Sequence, residues 1–257
     1  MPTIDQYSVS TVPVEMFFNE TFLSLGTGFV WESSGQIFLI TNWHNVSGRN
    51  PNTGAHLSTT LAEPNKLRVW WNVRNQLGNK QAVEHNLLDD EGRPLWFVHP
   101  DHQQGVDAVA LPVLLPDIIE PYPITAMEQR DLEIQIGMDV FVLGYPFGIT
   151  QGGLPVWKRG SIATEPQLAN TGNQRHLLLD TASRPGMSGS PVIRKAWGSY
   201  MLTDGSVAMG HGSATKLVGI YSGRLAANDP LDAQLGIMWP AVLLNEIVSG
   251  GVRDEPR

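Results

Sequence analysis

Arg184-Pro185-Gly186-Met187-Ser188-Gly189-Ser190-Pro191 sets one serine inside a run of small and turn-forming residues. Apolar, β-like segments flank it, Leu177-Leu178-Leu179 before and Val192-Ile193 after. Gly186 and Gly189 permit backbone angles and close approaches that other residues resist. Such a loop can turn backbone N–H groups and a hydroxyl toward one point, as acyl transfer requires of a nucleophile and its oxyanion donors. Gly/Ser turns are common and most do no chemistry. The loop therefore takes its meaning from what the rest of the chain supplies.

Outward from this loop the chain reads as many short strands. Residues 22–31 and 36–41, joined by Ser33-Ser34-Gly35, predict a hairpin that ends at Asn42-Trp43-His44. Leu67 to Val73 is rich in β-branched and aromatic residues, and 95–98 and 106–111 are shorter strands. Residues 1–20 show no strong element, and 74–93 read as a polar loop. The stretch 112–137 carries Pro112, Pro116, Pro121 and Pro123 and reads as a crossing between two halves. Beyond it, strands are expected at 140–143, 154–163, 176–180, 190–193, 217–222 and 234–238. One convincing helix follows, with Pro240 in its first turn, apolar residues at 243, 244, 247 and 248, and Gly250-Gly251 as its stop. The expected division is an arm at 1–20, a first β unit at 21–115, a linker at 116–137, a second β unit at 138–239 and a helix at 240–250. The class is all-β, either two packed barrels or a sandwich.

Composition narrows the partners. The 257 residues are 42% hydrophobic and 16% charged, with 26 Gly and 18 Pro, which suits a globular chain of strands and tight turns. Net charge is −8, without the basic stripe that nucleic acid requires. The absence of cysteine excludes a disulfide framework and thiol catalysis. No basic, apolar leader opens the sequence, and no apolar run approaches the ~18 residues that span a membrane. A cytoplasmic protein with no membrane partner is the expectation.

A nucleophilic serine needs a base, and the base an orienting acid. Of the seven histidines, His44 stands just after a strongly apolar strand. Asp107 opens the apolar run Asp107-Ala108-Val109-Ala110-Leu111, where a buried charge must find a partner. With the serine loop and Ile40-Thr41-Asn42-Trp43-His44, these segments resemble the trypsin/chymotrypsin-fold serine peptidases, especially their disulfide-free bacterial, Deg/HtrA-like branch. Gly26-Thr27-Gly28-Phe29-Val30, Leu143-Gly144-Tyr145-Pro146-Phe147-Gly148 and Val218-Gly219-Ile220-Tyr221-Ser222-Gly223 share the likeness, which covers roughly residues 22–248.

The resemblance implies two six-stranded antiparallel β-barrels with the cleft between them, and no cofactor. It implies His44 as general base, Asp107 as its orienting acid and Ser188 as nucleophile, with Gly186 and Ser188 N–H groups as the oxyanion hole. Activity is then expected to fall below a pH of about 6.5, where an unperturbed histidine is protonated. The substrate pocket would be walled by Ala182, Ser183, Ser222, Gly223, Arg224 and Gly236. Ala182 stands where trypsin carries an acid, which favours small or medium apolar side chains, while Arg224 could attract an acidic one. No Ile-Val-Gly-Gly-like activation segment and no peptide-binding (PDZ) module are visible, and any regulatory partner is unknown.

Three other readings use the same residues. A non-catalytic binding or sensor protein on this scaffold would commonly lack a triad residue, and a catalytically latent one is the other alternative. An esterase or self-processing protein would use the same machinery. A metal hydrolase could draw on His99-Pro100-Asp101-His102, but no His-Glu-x-x-His accompanies it, so no metal is expected.

Overall fold

The Asp5 carboxylate accepts from the N–H of Tyr7 at 3.0 Å and starts a short helix, α1 (Gln6–Ser10), that leads straight into strand β1 (Thr11–Phe18). The computed structural model describes residues 4–101, 105–170, 175–224 and 234–255. The arm expected at 1–20 is thus corrected: β1 lies inside the first sheet, between its neighbours β2 (Thr21–Ser33) and β4 (Lys66–Asn72). Pro13 disguises the strand in the sequence. It is accommodated because it faces Thr27 of β2, while pairing with β4 begins only at Val14.

The predicted hairpin forms from β2 and β3 (Gln36–Thr41), which runs into the short helix α2 (Trp43–Ser47). Strand β5 (Lys80–Asn86) replaces the polar loop expected at 74–93. Its sequence carries little apolar signal, but it pairs along β4 from Lys66↔Asn86 to Asn72↔Lys80, and Glu84 reaches both Lys66 and Arg68. β6 (Phe97–Val98) and β7 (Val109–Pro112) follow, and the stretch to residue 138 is mostly irregular, with one 3₁₀ turn at Ile124–Ala126.

The second half holds β8 (Asp139–Gly144), β9 (Val156–Ile162), β10 (Leu177–Asp180), β11 (Pro191–Met201), β12 (Val207–Arg224) and β13 (Leu235–Pro240). They close into a six-stranded barrel in the order β10-β13-β12-β11-β8-β9. The β11–β12 ribbon runs well past the segments predicted at 190–193 and 217–222. After helix α3 (Ala241–Gly250), the chain returns to the first half as β14 (Val252–Arg253), paired with β6. That return adds an eighth strand to the first sheet, for which six were expected, in the order β14-β6-β7-β3-β2-β1-β4-β5.

Each half has its own core. Val14, Leu39, Trp71 and Leu111 belong to the first, and Val142, Leu179, Tyr221 and Met238 to the second. A third cluster joins Tyr7, Phe29 and Ile40 to Leu143, Ile193 and Ile220, sealed by Leu243, Leu244 and Ile247 of α3. Each side chain of this size stabilises by roughly 1.5–3 kcal/mol when buried, so the third cluster holds the two halves in one arrangement. The site is built across that junction.

Candidate active site

β3 delivers the chain to Asn42, whose extended backbone (φ −79°) turns it into α2, and Gly48 (φ 68°) ends that helix one turn later. His44 therefore stands on a short helix anchored to the sheet. The Asn42 side chain donates to the carbonyl of Asp107 at 2.6 Å and ties this helix to the approach to β7.

Asp107 is 1% exposed, and three donors converge on its carboxylate. His44 N–H donates to Oδ1 at 2.9 Å, His44 Nδ1 lies 2.6 Å from Oδ2, and the Ser222 hydroxyl also donates to Oδ2. These bonds compensate the burial of a charge that would otherwise be costly. They also fix the imidazole. With Nδ1 donating to the carboxylate, Nε2 is left as the ring's acceptor.

Ser188 lies on the other side of the same cavity, a cleft of about 730 Å³ lined by His44, Asn45, Gly186 and Ser188 together with Leu25 and Phe147. Its loop is stitched to both halves. From the first half, Thr27 N–H donates to Ser188 O at 2.8 Å, Asn45 Nδ2 donates to the same carbonyl at 3.2 Å, and the Thr27 hydroxyl donates to Gly186 O at 2.7 Å. From the second half, Gly189 N–H donates to Tyr221 O at 2.9 Å, and Tyr221 N–H to Ser190 O at 2.8 Å.

The loop's glycines are required by this packing. Gly189 has φ 88°, and a Cβ there would stand 1.9 Å from Thr27 O. Gly186 has φ 91°, and its Cβ would stand 2.3 Å from Tyr145 O. Phe147 N–H donates to Pro185 O at 2.8 Å. A trans peptide carries its C=O and N–H on opposite sides, so the Gly186 N–H faces away from Phe147. Among the described residues, neither the Gly186 nor the Ser188 N–H has a protein acceptor, and the Ser188 hydroxyl makes no hydrogen bond.

The expected pocket residues divide. The Ser222 hydroxyl is engaged by the Asp107 carboxylate. Gly223 lies close to the serine loop, since a Cβ there would come 3.6 Å from Ser188 Oγ. Gly236 is backed by the Tyr221 ring, whose Cε2 would stand 2.2 Å from an added Cβ. Ala182 and Ser183 are half-buried, and Arg224 is exposed. His99, from the rival metal motif, is buried; its Nε2 lies 2.5 Å from Glu246 Oε2 and its Nδ1 accepts from Asp101 N–H at 3.0 Å. His102 lies outside the described residues. The bracing roles of Thr27, Asn45 and Phe147 were not predicted from the sequence. Their backbone-directed bonds depend on how the two halves meet, and Gly26-Thr27-Gly28 and Tyr145-Pro146-Phe147 were the local signs.

Two packed β units with a histidine–carboxylate pair on one and a glycine-framed serine on the other define a trypsin-like class of protein. The family model of the trypsin-like peptidase domain matches residues 26–199, and the chain belongs to that family of serine proteases, hydrolases that act on peptide bonds. Among solved structures, it is similar to the serine endoprotease from Yersinia pestis, with a TM-score of 0.51 and 16% identity over 98% of this chain and 70% of that one. It is also similar to the active form of the Rv3671c protease from M. tuberculosis, with a TM-score of 0.49 and 19% identity over 98% and 84%. No curated protein matches it in sequence. Among the described residues, no helix is long and apolar enough to cross a membrane.

Proposed function

We propose that the protein is a serine endopeptidase that works through Ser188, His44 and Asp107 and an acyl-enzyme intermediate. The observation that carries this reading is the His44–Asp107 pair, 2.6 Å apart, opening on the same cleft as Ser188. His44 Nε2 takes the Ser188 proton as Oγ bonds to the scissile carbonyl carbon. The resulting oxyanion is held by the Gly186 and Ser188 N–H groups, each donor contributing about 3 kcal/mol to barrier lowering. The C–N bond then breaks as the imidazolium gives its proton to the leaving amine. Water, activated by the same imidazole, releases the acyl group and restores the serine. The Ser188–His44 hydrogen bond forms when substrate fills the cleft, since such bonds tighten in the Michaelis complex.

Small apolar residues are the proposed preference on the acyl side, since Ala182 stands in sequence where trypsin carries an acid and the Tyr221 ring backs Gly236. The cleft also offers Phe22, Leu25, Leu57 and Phe147, which favours apolar residues in the peptide it holds. The unbonded Ser188 hydroxyl also fits a second reading, a protease that stays latent until a ligand aligns the loop. Fluorogenic peptides with Ala or Val before the scissile bond test the proposal. Turnover by the wild type, lost in both Ser188→Ala and His44→Ala, supports it. Equal turnover by the three proteins would discard the assignment.

A further inference from the structure

Next to the cleft and sharing Leu25 with it, where β1, the β4–β5 hairpin and the turn at 145–153 meet, lies a second cavity of about 360 Å³. Pro13, Leu25, Trp70 and Tyr145 give it apolar walls, and Glu15 and Lys80 also line it. The Lys80 stem is held against the backbone of the turn. A Cβ on Gly153, which has φ 74°, would come within 3.2 Å of Lys80 Cγ and 2.8 Å of Gly78 O. At the end of this stem, Nζ is buried and has no hydrogen-bond partner.

The other ionisable groups in the walls are already occupied. Glu15 accepts from Trp70 Nε1 at 3.1 Å and lies 3.8 Å from Arg68. The Tyr145 hydroxyl donates to Thr11 O at 2.9 Å, and burial pushes its pKa up, so it stays neutral. Burial pushes the Lys80 ammonium down to about 8, so it still carries most of its charge at neutral pH. A buried cation without a counter-charge is expensive, and an anion delivered there recovers that cost.

We propose that this cavity binds a small carboxylate with an apolar body, its carboxylate on Lys80 Nζ and its body against Pro13, Leu25 and Trp70. The carboxylate could come from a free chain terminus or from a short fatty acid, which share the chemistry. Occupation of the cavity also acts on the nucleophile loop through Tyr145, a step that rests on the protease reading above. The Tyr145 ring lines the cavity, while its backbone N–H donates to Thr27 Oγ1 at 3.3 Å, and Thr27 Oγ1 donates to Gly186 O at 2.7 Å. One residue thus touches both the ligand wall and the serine loop's support.

Isothermal titration of the full chain carrying Ser188→Ala, at pH 7, tests the site without needing activity. The probes are sodium octanoate, the tripeptide Gly-Ala-Leu and its C-terminal amide. Binding of either acid is expected, weakened at least tenfold by Lys80→Met and less by Lys80→Arg. Octanoate without the tripeptide assigns a fatty acid, and the reverse assigns a chain terminus. No binding of either acid, binding indifferent to Lys80→Met, or an amide as tight as its acid overturns the site. Hydrolysis by the wild type is expected to change severalfold on saturation with the bound acid. Binding with no such change overturns the link through Tyr145 and leaves the site standing.

Discussion

Asp107 gathers three hydrogen bonds from two parts of the fold, two from His44 on α2 and one from Ser222 on β12. In Asp107→Asn the amide cannot accept at both positions, so the imidazole loses the tautomer that leaves Nε2 basic. The fold should survive while kcat falls by roughly three to four orders of magnitude, which pre-steady-state and steady-state kinetics will read. Gly189 carries the opposite burden, since its role is steric. Gly189→Ala forces a Cβ to within 1.9 Å of Thr27 O at a φ of 88°, and urea unfolding should show a loss of about 3 kcal/mol or more. Lys80 acts through its charge. Its pKa falls from 10.5 to about 8 on folding, so the folded state is penalised below pH 8 and relieved between pH 8 and 10.5. Lys80→Met should therefore raise stability by about 2–3 kcal/mol at pH 7, a gain that shrinks toward pH 10.5 in thermal melts.

Strand β5 shows where the sequence is hard to read. Lys80-Gln81-Ala82-Val83-Glu84-His85-Asn86 has almost no apolar alternation, yet β4 beside it has the clearest strand signal of the first half. An edge strand is specified by its partner, through pairing and through Glu84 with Lys66 and Arg68, and none of this is local. The long outer part of the β11–β12 ribbon was hidden for the same reason, whereas β1, an interior strand, was disguised by Pro13. By contrast, the β2–β3 hairpin and the serine loop were legible because turn residues and special glycines are written locally. His85 gives this element a titration signature. It accepts from Trp71 Nε1 at 3.1 Å, and burial pushes its pKa down to about 4. The folded state resists protonation that the unfolded chain accepts, so stability is present above pH 6.5 and is lost as pH falls toward 4. Denaturation midpoints should fall by an equivalent of about 3 kcal/mol over that window, and His85→Gln should flatten the dependence.

At the scale of the whole molecule, the two halves are joined by the third core cluster, by Thr27 under the serine loop and by the returning tail. The tail was not foreseen as part of the fold. Beyond α3, Asp254 inserts its carboxylate between two indoles, accepting from Trp43 Nε1 at 2.7 Å and Trp96 Nε1 at 3.1 Å. Trp43 directly precedes His44, so the tail braces the helix that carries the proposed base. Asp254→Ala strips the acceptor from both indoles. It should cost about 2–3 kcal/mol by urea unfolding, with kcat reduced more than KM is raised.

His44, Asp107 and the serine loop thus come from three distant stretches of chain. Their order was visible in the sequence, while their mutual support came only from the packing of the halves. The most direct test of the central claim is labelling of the native protein by a fluorophosphonate probe, with the modified residue located by mass spectrometry. The account predicts a single adduct on Ser188, abolished in Ser188→Ala and strongly slowed in His44→Ala. An adduct on another residue, or labelling that persists unchanged in Ser188→Ala, would contradict it.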